Sequence, residues 1–357
     1  MAKFNSLKIK DIRRETADSV SVAFEIPENL KTDYSFIQGQ YITLKRTFNG
    51  EEVRRSYSIC SSPITDNDLR VAIKEVPGGK FSTWFNREAK VGEYLEVMTP
   101  KGNFYTEMNA ANAKHYVLFA GGSGITPIYS ILKTILAAEP NSTVSLFYGS
   151  RNEESIIFKN GISEIAEKNS NRFKVYHILD SAPNGYDELY KGILTKEKVN
   201  ALIEKHVELN LNNEFFICGP TPMMDYVREV LESFRIEKNK IHIEYFTAQD
   251  TKPADKPAST HGIINSKVTI IMDGVETTIN LASNGKTILD AAIDAGLDAP
   301  FACKGAVCCT CKAKVLSGNV SMDMNYALTD DEVAEGFILT CQAHPQSAEV
   351  SIDYDVL

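Results

Sequence analysis

The sequence predicts three domains in succession: an antiparallel β domain, an α/β domain with a parallel sheet, and a small C-terminal domain that carries a cysteine cluster. Apolar residues alternate as in antiparallel strands up to residues 105–115, and apolar runs then alternate with helical patterns. Four cysteines at a distinctive spacing follow a segment without apolar periodicity. A chain of 357 residues is long enough for two or three domains, each with its own core.

The domain boundaries follow from these changes in pattern. We expect the first domain at residues 1–108, the second at 109–246, a linker at 247–264 and the third at 265–357. The clearest part of the linker, residues 247–261, is rich in Pro, Ala, Thr and charge, which is typical of a solvated tether.

The first domain contains the sequence R-R-S-Y-S-I-C at residues 54–60. A cation, an aromatic ring and a hydroxyl on one strand supply a phosphate partner, a stacking face and a hydrogen-bond donor, which are what a flavin requires. The alternative is an ordinary strand edge. The glycine-rich turn V-P-G-G-K-F-S-T at 76–83 begins a helix, where Ser82 and Thr83 could present hydroxyl and N–H groups to a pyrophosphate. F-I-Q-G-Q-Y at 36–41 is a third part of this pattern.

The second domain is predicted to contain buried parallel strands at 116–120, 144–148, 173–179 and 214–218. The first strand runs into F-A-G-G-S-G-I-T-P at 119–127, where glycines before a helix allow the backbone to approach a pyrophosphate.

A second ligand-binding loop is predicted where Cys218, Gly219 and Pro220 end a later strand, with Met223 and Met224 following. The alternative for Cys218 is a small buried apolar residue. Ser150 and Arg151 could bind the 2′-phosphate of NADP, which favours NADPH over NADH, although both could equally be surface residues.

The third domain carries Cys303, Cys308, Cys311 and Cys341, with four, two and 29 residues between them. This is the plant-type spacing for four thiolates around a [2Fe–2S] cluster. A zinc site usually shows two short C-x-x-C pairs, and a disulfide framework is the other alternative. Cys309 lies inside the loop but outside the spacing, so we predict that it is not a ligand.

The flanking sequence predicts a hairpin around Asp273 and Gly274, from the alternating residues 268–271 and 277–281. Thr287 begins an amphipathic stretch that ends at Gly296, as a helix would. Thr329 and Glu332 form a capping-box pattern before the run that leads to the fourth cysteine.

Taken together, these motifs resemble the ferredoxin–NADP reductase superfamily with a fused C-terminal plant-type ferredoxin. The resemblance implies an antiparallel β-barrel flavin domain, an α/β parallel-sheet nucleotide domain and an α+β, β-grasp ferredoxin domain. Within that superfamily, the chain resembles the reductase components of phenylacetyl-CoA epoxidase systems. Electrons would pass from NAD(P)H through FAD and the [2Fe–2S] cluster to a partner oxygenase. A ring-hydroxylating dioxygenase or a desaturase is the alternative acceptor, and a non-enzymatic redox sensor or carrier is the alternative class.

The resemblance also implies the residues that would bind each cofactor. Arg55 would contact the flavin phosphate, Tyr57 would stack on the isoalloxazine and Ser58 would lie near its N5 atom. Cys218 would lie beside the nicotinamide. In H-I-E-Y-F at residues 242–246, Glu244 would take part in proton transfer and Phe246 would cover the flavin ring, although a strand end with a buried Phe is an equal alternative. The flavin pyrophosphate would lie at Gly79, Lys80, Ser82 and Thr83, and the pyridine nucleotide at Gly121, Gly122, Gly124, Thr126, Pro127, Cys218, Gly219, Pro220 and Met223. FAD is favoured over FMN, which a related reductase group uses.

Composition and charge limit the other functions. The apolar fraction is 43%, and no stretch approaches the roughly 20 apolar residues of a membrane-spanning helix. Residues 1–19 lack the apolar run of a signal peptide, and the seven clustered cysteines favour a reducing compartment, so we expect a cytoplasmic protein without a membrane partner. We expect no nucleic-acid partner, because no basic patch with interleaved aromatic residues is present. Residues 265–357 carry 5 Lys+Arg against 13 Asp+Glu, so an acidic face could steer a basic partner or simply be solvated.

Overall fold

The computed structural model describes residues 3–246 and 262–356, and the predicted linker segment 247–261 lies outside the described residues. The strands are β1 (Phe4–Thr16), β2 (Ser19–Glu25), β3 (Tyr41–Phe48), β4 (Glu51–Ser58), β5 (Leu69–Lys74), β6 (Tyr94–Met98), β7 (His115–Gly121), β8 (Thr143–Ser150), β9 (Phe173–Leu179), β10 (Asn213–Cys218), β11 (Ile241–Glu244), β12 (Asn265–Met272), β13 (Val275–Ala282), β14 (Lys312–Ser317), β15 (Val320–Met322), β16 (Phe337–Leu339), β17 (Ala343–Pro345) and β18 (Glu349–Asp353). The helices are α1 (Lys80–Arg87), α2 (Ile125–Ala138), α3 (Lys159–Lys168), α4 (Lys196–His206), α5 (Thr221–Ser233), α6 (Ile288–Asp294) and α7 (Asp330–Ala334).

The first six strands form one antiparallel sheet in the order β4-β3-β6-β1-β2-β5. The two ends of this order meet where Ile59, just after β4, pairs with Val71 of β5, and the N–H of Cys60 donates to the carbonyl of Arg70 at 2.8 Å. This closure confirms the predicted β-barrel. Alternate side chains such as Val22 and Leu44 fill the interior and are fully buried, as a period of two requires.

A five-stranded parallel sheet follows, in the order β11-β10-β7-β8-β9. The four predicted strands are confirmed with small differences at their ends, and β11 adds a fifth. The chain proceeds from β7 toward β9 on one side and then crosses to β10 and β11 on the other. In parallel sheets of this kind, ligands usually bind in a crevice at the carboxyl ends of the strands. The crevice forms where the order of the strands reverses, which here is between β7 and β10.

The third part of the chain forms a mixed sheet in the order β13-β12-β18-β14-β16, in which β12 and β18 are parallel. The predicted hairpin is confirmed, since β12 and β13 meet at Asp273 and Gly274, both at positive φ. The predicted helix is α6, which Thr287 caps by accepting from the N–H of Asp290. The capping box of Thr329 and Glu332 is also confirmed, at the start of α7.

The described residues divide into two compact units, one formed mainly by the barrel and the parallel sheet and the other by the C-terminal mixed sheet. Each has its own buried core. Among the described residues, no helix combines the length and the apolar character needed to cross a membrane.

Candidate functional site

The carboxyl ends of three parallel strands meet at the point where the sheet changes direction. β7 ends at Gly121, β10 at Cys218 and β11 at Glu244. The strand register pairs Cys218 with Ala120 on one side and with Glu244 on the other. Residues that are far apart in the sequence therefore form one edge.

Glycines allow the two loops at this edge to touch through their backbones. A β-carbon built on Gly124 would lie 2.1 Å from the carbonyl oxygen of Cys218. One on Gly121 would lie 2.5 Å from Cδ of Pro220, and one on Gly219 would lie 2.9 Å from the amide nitrogen of Gly121. Because no side chain fits at these three positions, the glycines bring the backbone amides of both loops to the crevice, as binding of a dinucleotide pyrophosphate requires.

Neighbouring side chains hold the glycine loop in place. The Thr126 hydroxyl donates to the carbonyl of Ser123 at 3.0 Å, and the Tyr148 hydroxyl donates to the carbonyl of Gly122 at 3.1 Å. Met223 and Pro127 are buried in the first turns of their helices, α5 and α2. The loop is thus fixed before any ligand binds.

The flavin-type strand of the barrel reaches the same edge through Ser58. The Ser58 hydroxyl donates to Oε2 of Glu244 at 3.0 Å, and Ser58 itself is buried. Burial raises the pKa of Glu244 to about 8, and the hydrogen bond from Ser58 offsets part of that rise. Glu244 therefore holds a proton at neutral pH.

Cys218 is fully buried beside this pair. Burial raises the pKa of its thiol, and the Glu244 carboxylate raises it further. The thiol is therefore neutral and is a small packing group rather than a nucleophile. Ser58 and Cys218, which were predicted from separate motifs, are thus brought together with Glu244, which the family resemblance implied.

The other predicted flavin residues lie on β4 and α1. Arg55 is exposed and Tyr57 is half-buried, with its ring in edge contact with Phe81 at 6.4 Å and Phe85 at 6.3 Å. Gly79 is the N-cap of α1, whose first turn begins with Lys80.

Two details of this turn differ from the sequence-based interpretation. The Ser82 hydroxyl points into the turn, where it accepts from the N–H of Val76 at 3.1 Å. The N–H of Thr83 donates to the carbonyl of Gly79 as the first helical bond. The amides of residues 80–82 precede that bond and have no partner within the helix. The N-terminal amides of α1, rather than the predicted Ser82 hydroxyl, are therefore the groups available to a ligand.

Two cations, Lys74 and Arg151, lie near Asp18. Arg151 follows β8 and forms an ion pair with Asp18 at 2.5 Å, while Ser150 is buried at the end of that strand. Lys74, at the end of β5, places its ammonium 3.8 Å from the position of a β-carbon on Gly122. Burial lowers the pKa of Lys74. Sequence reasoning missed Lys74, because a single lysine at the end of an apolar strand carries no local signal.

The four predicted ligand cysteines lie together in the C-terminal unit as free thiols. They form two pairs: Sγ of Cys308 lies 3.1 Å from Sγ of Cys303, and Cys311 is hydrogen-bonded to Cys341. A [2Fe–2S] cluster takes four thiolates, and its two irons require two pairs. Among the described residues, no three His, Cys, Asp or Glu side chains are grouped around a single metal position.

Hydrogen-bond donors surround these sulfurs. The pKa of Cys303 is lowered to about 6, because the Cys308 thiol and the amides of Gly305, Val307 and Cys308 donate to its sulfur. The pKa of Cys341 is lowered mainly by the Cys311 thiol and also by the amide of Ala306. The pKa values of Cys308 and Cys311 are raised instead, because their thiols donate to Cys303 and Cys341 and are buried. Each pair therefore contains one sulfur that favours the thiolate, the form that binds iron, and the donor set fits the cluster.

Cys309 points away from these pairs. Its thiol donates to the carbonyl of Ala327 at 3.4 Å, and this carbonyl is not part of either thiol pair.

The cysteine loop bends tightly at residues other than glycine. Lys304 and Ala306 adopt positive φ values of 50° and 62°.

Comparison with known proteins agrees with this geometry. Residues 6–105 match the oxidoreductase FAD-binding domain, residues 118–229 the oxidoreductase NAD-binding domain, and residues 270–346 the 2Fe-2S iron-sulfur cluster binding domain. The fold and the sites thus define an oxidoreductase that uses a pyridine nucleotide, FAD and a [2Fe–2S] cluster.

Two relatives align over nearly the whole chain. One is a component of the 1,2-phenylacetyl-CoA epoxidase of Escherichia coli, which is 38% identical over 355 residues that cover 99% of each chain. The ferredoxin reductase component of the 3-ketosteroid-9-alpha-monooxygenase of Mycobacterium tuberculosis is 32% identical over 358 residues, 98% of this chain and 95% of that one. Phthalate dioxygenase reductase shares the fold, with a TM-score of 0.59 and 24% identity over 98% of both chains.

The chain belongs to the family of reductase components of oxygenase systems that contain FAD and a 2Fe–2S ferredoxin domain. It is an NAD(P)H-dependent oxidoreductase in which electrons pass from NAD(P)H to FAD and then to the [2Fe–2S] cluster.

Proposed function

We propose that this chain is the electron-donating component of a phenylacetyl-CoA epoxidase and that it prefers NADPH. The observation that carries the redox part is the meeting of Ser58 from the barrel with Cys218 and Glu244 from the parallel sheet. When bound, FAD accepts a hydride from NAD(P)H and passes the electrons singly to the [2Fe–2S] cluster.

The residues at that meeting point position the two rings. Ser58 donates to Glu244, so its hydroxyl is held in one orientation, and it would lie beside the flavin N5 atom. Glu244 is neutral at pH 7, and it keeps negative charge away from the site where electrons arrive. Cys218 provides a small neutral surface for the nicotinamide.

The remaining flavin contacts come from the barrel. Arg55 would pair with the flavin phosphate and Tyr57 would stack on the isoalloxazine. The first turn of α1, at Gly79, Lys80, Ser82 and Thr83, would hold the pyrophosphate through the amides of residues 80–82. Phe246, which follows β11 and is 39% exposed, covers the ring.

The two glycine loops would hold the pyridine nucleotide, and Gly122 and the neighbouring Lys74 would contact its phosphates. Ser150 and Arg151 bind the 2′-phosphate of NADPH. Arg151 must then exchange its ion pair with Asp18 for the phosphate, and the exposed position of Arg151 supports such an exchange.

Cys303, Cys308, Cys311 and Cys341 are the cluster ligands, because the two thiol pairs and their amide donors match a two-iron centre. The same free, clustered cysteines support a cytoplasmic location.

The partner is inferred from the relative that is similar over the full length. The test is reconstitution of NADPH-dependent turnover of phenylacetyl-CoA with the oxygenase components of a phenylacetyl-CoA epoxidase. A parallel reaction uses the oxygenase component of a 3-ketosteroid-9-alpha-monooxygenase, the partner that the second relative suggests. We expect product only in the first reaction. Product only in the second would assign the chain to a different oxygenase, and product in neither would refute both assignments.

A further inference from the structure

A buried chain of hydroxyl groups leads from the end of the last strand to one of the thiol pairs. The Tyr354 hydroxyl donates to Oγ1 of Thr340 at 2.8 Å, and Thr340 Oγ1 donates to the carbonyl of Cys311 at 2.9 Å. Tyr354 is 2% exposed, Thr340 is fully buried and Cys311 is 2% exposed. Burial keeps solvent away from these bonds, so each hydroxyl is held in one orientation.

The same chain ties together the backbones that carry both cysteines of the pair. The N–H of Thr340 also donates to the Cys311 carbonyl, at 3.1 Å. Thr340 is the neighbour of Cys341, and Cys311 and Cys341 are adjacent to the paired strands β14 and β16. Tyr354 follows β18, the other neighbour of β14. One hydrogen-bonded chain therefore spans three strands and ends at the Cys311–Cys341 pair.

The direction of the hydroxyl dipoles matters for electron transfer. Both O–H bonds point along the chain toward the Cys311 carbonyl, so their positive ends face the cysteine loop. Dipoles oriented in this way stabilise added negative charge, and their effect is strong because the surroundings have a low dielectric constant. Hydrogen bonds and dipoles near the sulfurs are among the factors that set cluster potentials.

We propose that Tyr354, acting through Thr340, is a positioning residue that raises the reduction potential of the [2Fe–2S] cluster. This inference rests on the proposed assignment of Cys311 and Cys341 as ligands. Tyr354 acts indirectly and does not contact the cluster. It fixes the orientation of the Thr340 hydroxyl and, through it, the backbone of the ligand pair.

The test compares Tyr354→Phe with wild-type protein loaded with flavin and cluster. The readouts are iron content, the reduction potential from spectroelectrochemistry, and the g values of the reduced cluster. We expect full iron content and a more negative potential. The equilibrium constant for passing an electron from the flavin to the cluster should fall by up to about tenfold, which corresponds to about 59 mV for a one-electron couple.

Tyr34→Phe is the matched control, because the buried Tyr34 hydroxyl donates in a similar way, at 2.6 Å to the carbonyl of Val97 in the barrel. Its cluster potential should equal that of the wild type. A Tyr354→Phe protein with full iron and an unchanged potential would overturn the proposal. A wild-type protein without two irons per chain would instead refute the ligand assignment, so the two failures are distinguishable.

A second pair of variants covers the case in which Tyr354→Phe does not hold iron. Thr340→Ser keeps the hydroxyl and should retain both iron and potential, whereas Thr340→Val removes it and should shift the potential or lose iron. Equal potentials and equal iron content in these two variants would contradict the proposal.

Discussion

The surroundings of Glu244 strongly alter its chemistry. Burial raises its pKa to about 8, so the carboxyl is mostly neutral at pH 7 and ionises as the pH rises through about 8. We predict that NAD(P)H–ferricyanide activity falls as the pH rises through about 8, because a carboxylate beside Ser58 opposes the arrival of negative charge. In Glu244→Gln, which cannot ionise, this fall should be absent. The measurement is the pH dependence of kcat/KM.

Glu214→Gln provides the control. The Glu214 carboxyl is buried, but hydrogen bonds from His242 and Lys114 outweigh the effect of burial and lower its pKa to about 2, far from the tested range. Its pH profile should keep the shape of the wild type. A fall at alkaline pH that persists in Glu244→Gln would show that another group controls it.

The same shift in pKa predicts a change in stability with pH. The folded pKa of Glu244 lies above its unfolded value of about 4.5, so the stabilising contribution is complete below pH 4.5 and is lost as the pH rises through about 8. The unfolding temperature of the unit that contains Glu244 should therefore decrease across this window more in the wild type than in Glu244→Gln. Equal pH dependence in the two proteins would contradict the raised pKa.

The cysteine loop gives a prediction that separates ligands from a neighbour. Cys303→Ser, Cys308→Ser, Cys311→Ser and Cys341→Ser should each lose the cluster absorption and most of the iron, because each removes one of four thiolates. Cys309→Ser should retain both, since the Cys309 thiol donates to the Ala327 carbonyl instead. Iron analysis and visible spectra measure the outcome. Bleaching in Cys309→Ser as strong as in the other four would refute the ligand assignment.

At the scale of single elements, the close approach of the two glycine loops is sensitive to an added side chain. In Gly124→Ala, the added methyl group would meet the Cys218 carbonyl at 2.1 Å, so the loops must separate. We predict that kcat/KM for the pyridine nucleotide falls by about 100-fold, the cost of a displacement of about 1 Å near reacting atoms. Bound flavin should remain at wild-type content, because the barrel is not altered.

Gly262→Ala is a suitable control for this substitution. A β-carbon at Gly262 meets no heavy atom within 4 Å, and its backbone is not in the positive φ region. Its kcat/KM should equal that of the wild type. If Gly124→Ala also behaves like the wild type, the close contact between the loops is not required for nucleotide binding.

The sequence could predict elements whose signals are local. Three of the longer parallel strands, β7, β8 and β10, are almost wholly buried, whereas β9, at the edge of the sheet, is buried only at its ends. α6 and α7 carry their own capping residues. β11 has only four residues, all half-buried, so it shows no periodicity and is recognisable only beside β10. The position of the Ser82 hydroxyl depends on how the turn closes, which its sequence letters do not reveal.

In the candidate site, the residues that belong to sequence motifs could be predicted, whereas their tertiary contacts could not. Ser58, Cys218 and the cysteine spacing belong to motifs, whereas the hydrogen bond between Ser58 and Glu244 joins residues 186 positions apart. Lys74 and Tyr354 lie in no motif. Tertiary packing brings Lys74 to Gly122 and Tyr354 to Thr340, so only the folded chain shows what they contact.

At the scale of the whole molecule, we predict that the chain can be divided at the linker. A protein that ends at residue 246 contains the whole barrel and parallel sheet, most of whose residues form one compact unit that does not include the C-terminal mixed sheet. It should bind flavin and reduce ferricyanide with NAD(P)H at the rate of the full chain. It should lose nearly all cytochrome c reduction, which depends on the cluster. Truncated protein without flavin, or with full cytochrome c activity, would contradict this division.

The central claim is that electrons from NAD(P)H reach the cluster through the flavin within one chain. The most direct measurement is anaerobic mixing of the full-length, flavin-loaded protein with NADPH, followed by electron paramagnetic resonance of the frozen sample. We predict that the signal of a reduced [2Fe–2S] cluster appears, and that it is absent from protein stripped of flavin. A flavin that is bleached by NADPH while the cluster stays oxidised, or a cluster that is reduced equally well without flavin, would contradict the account.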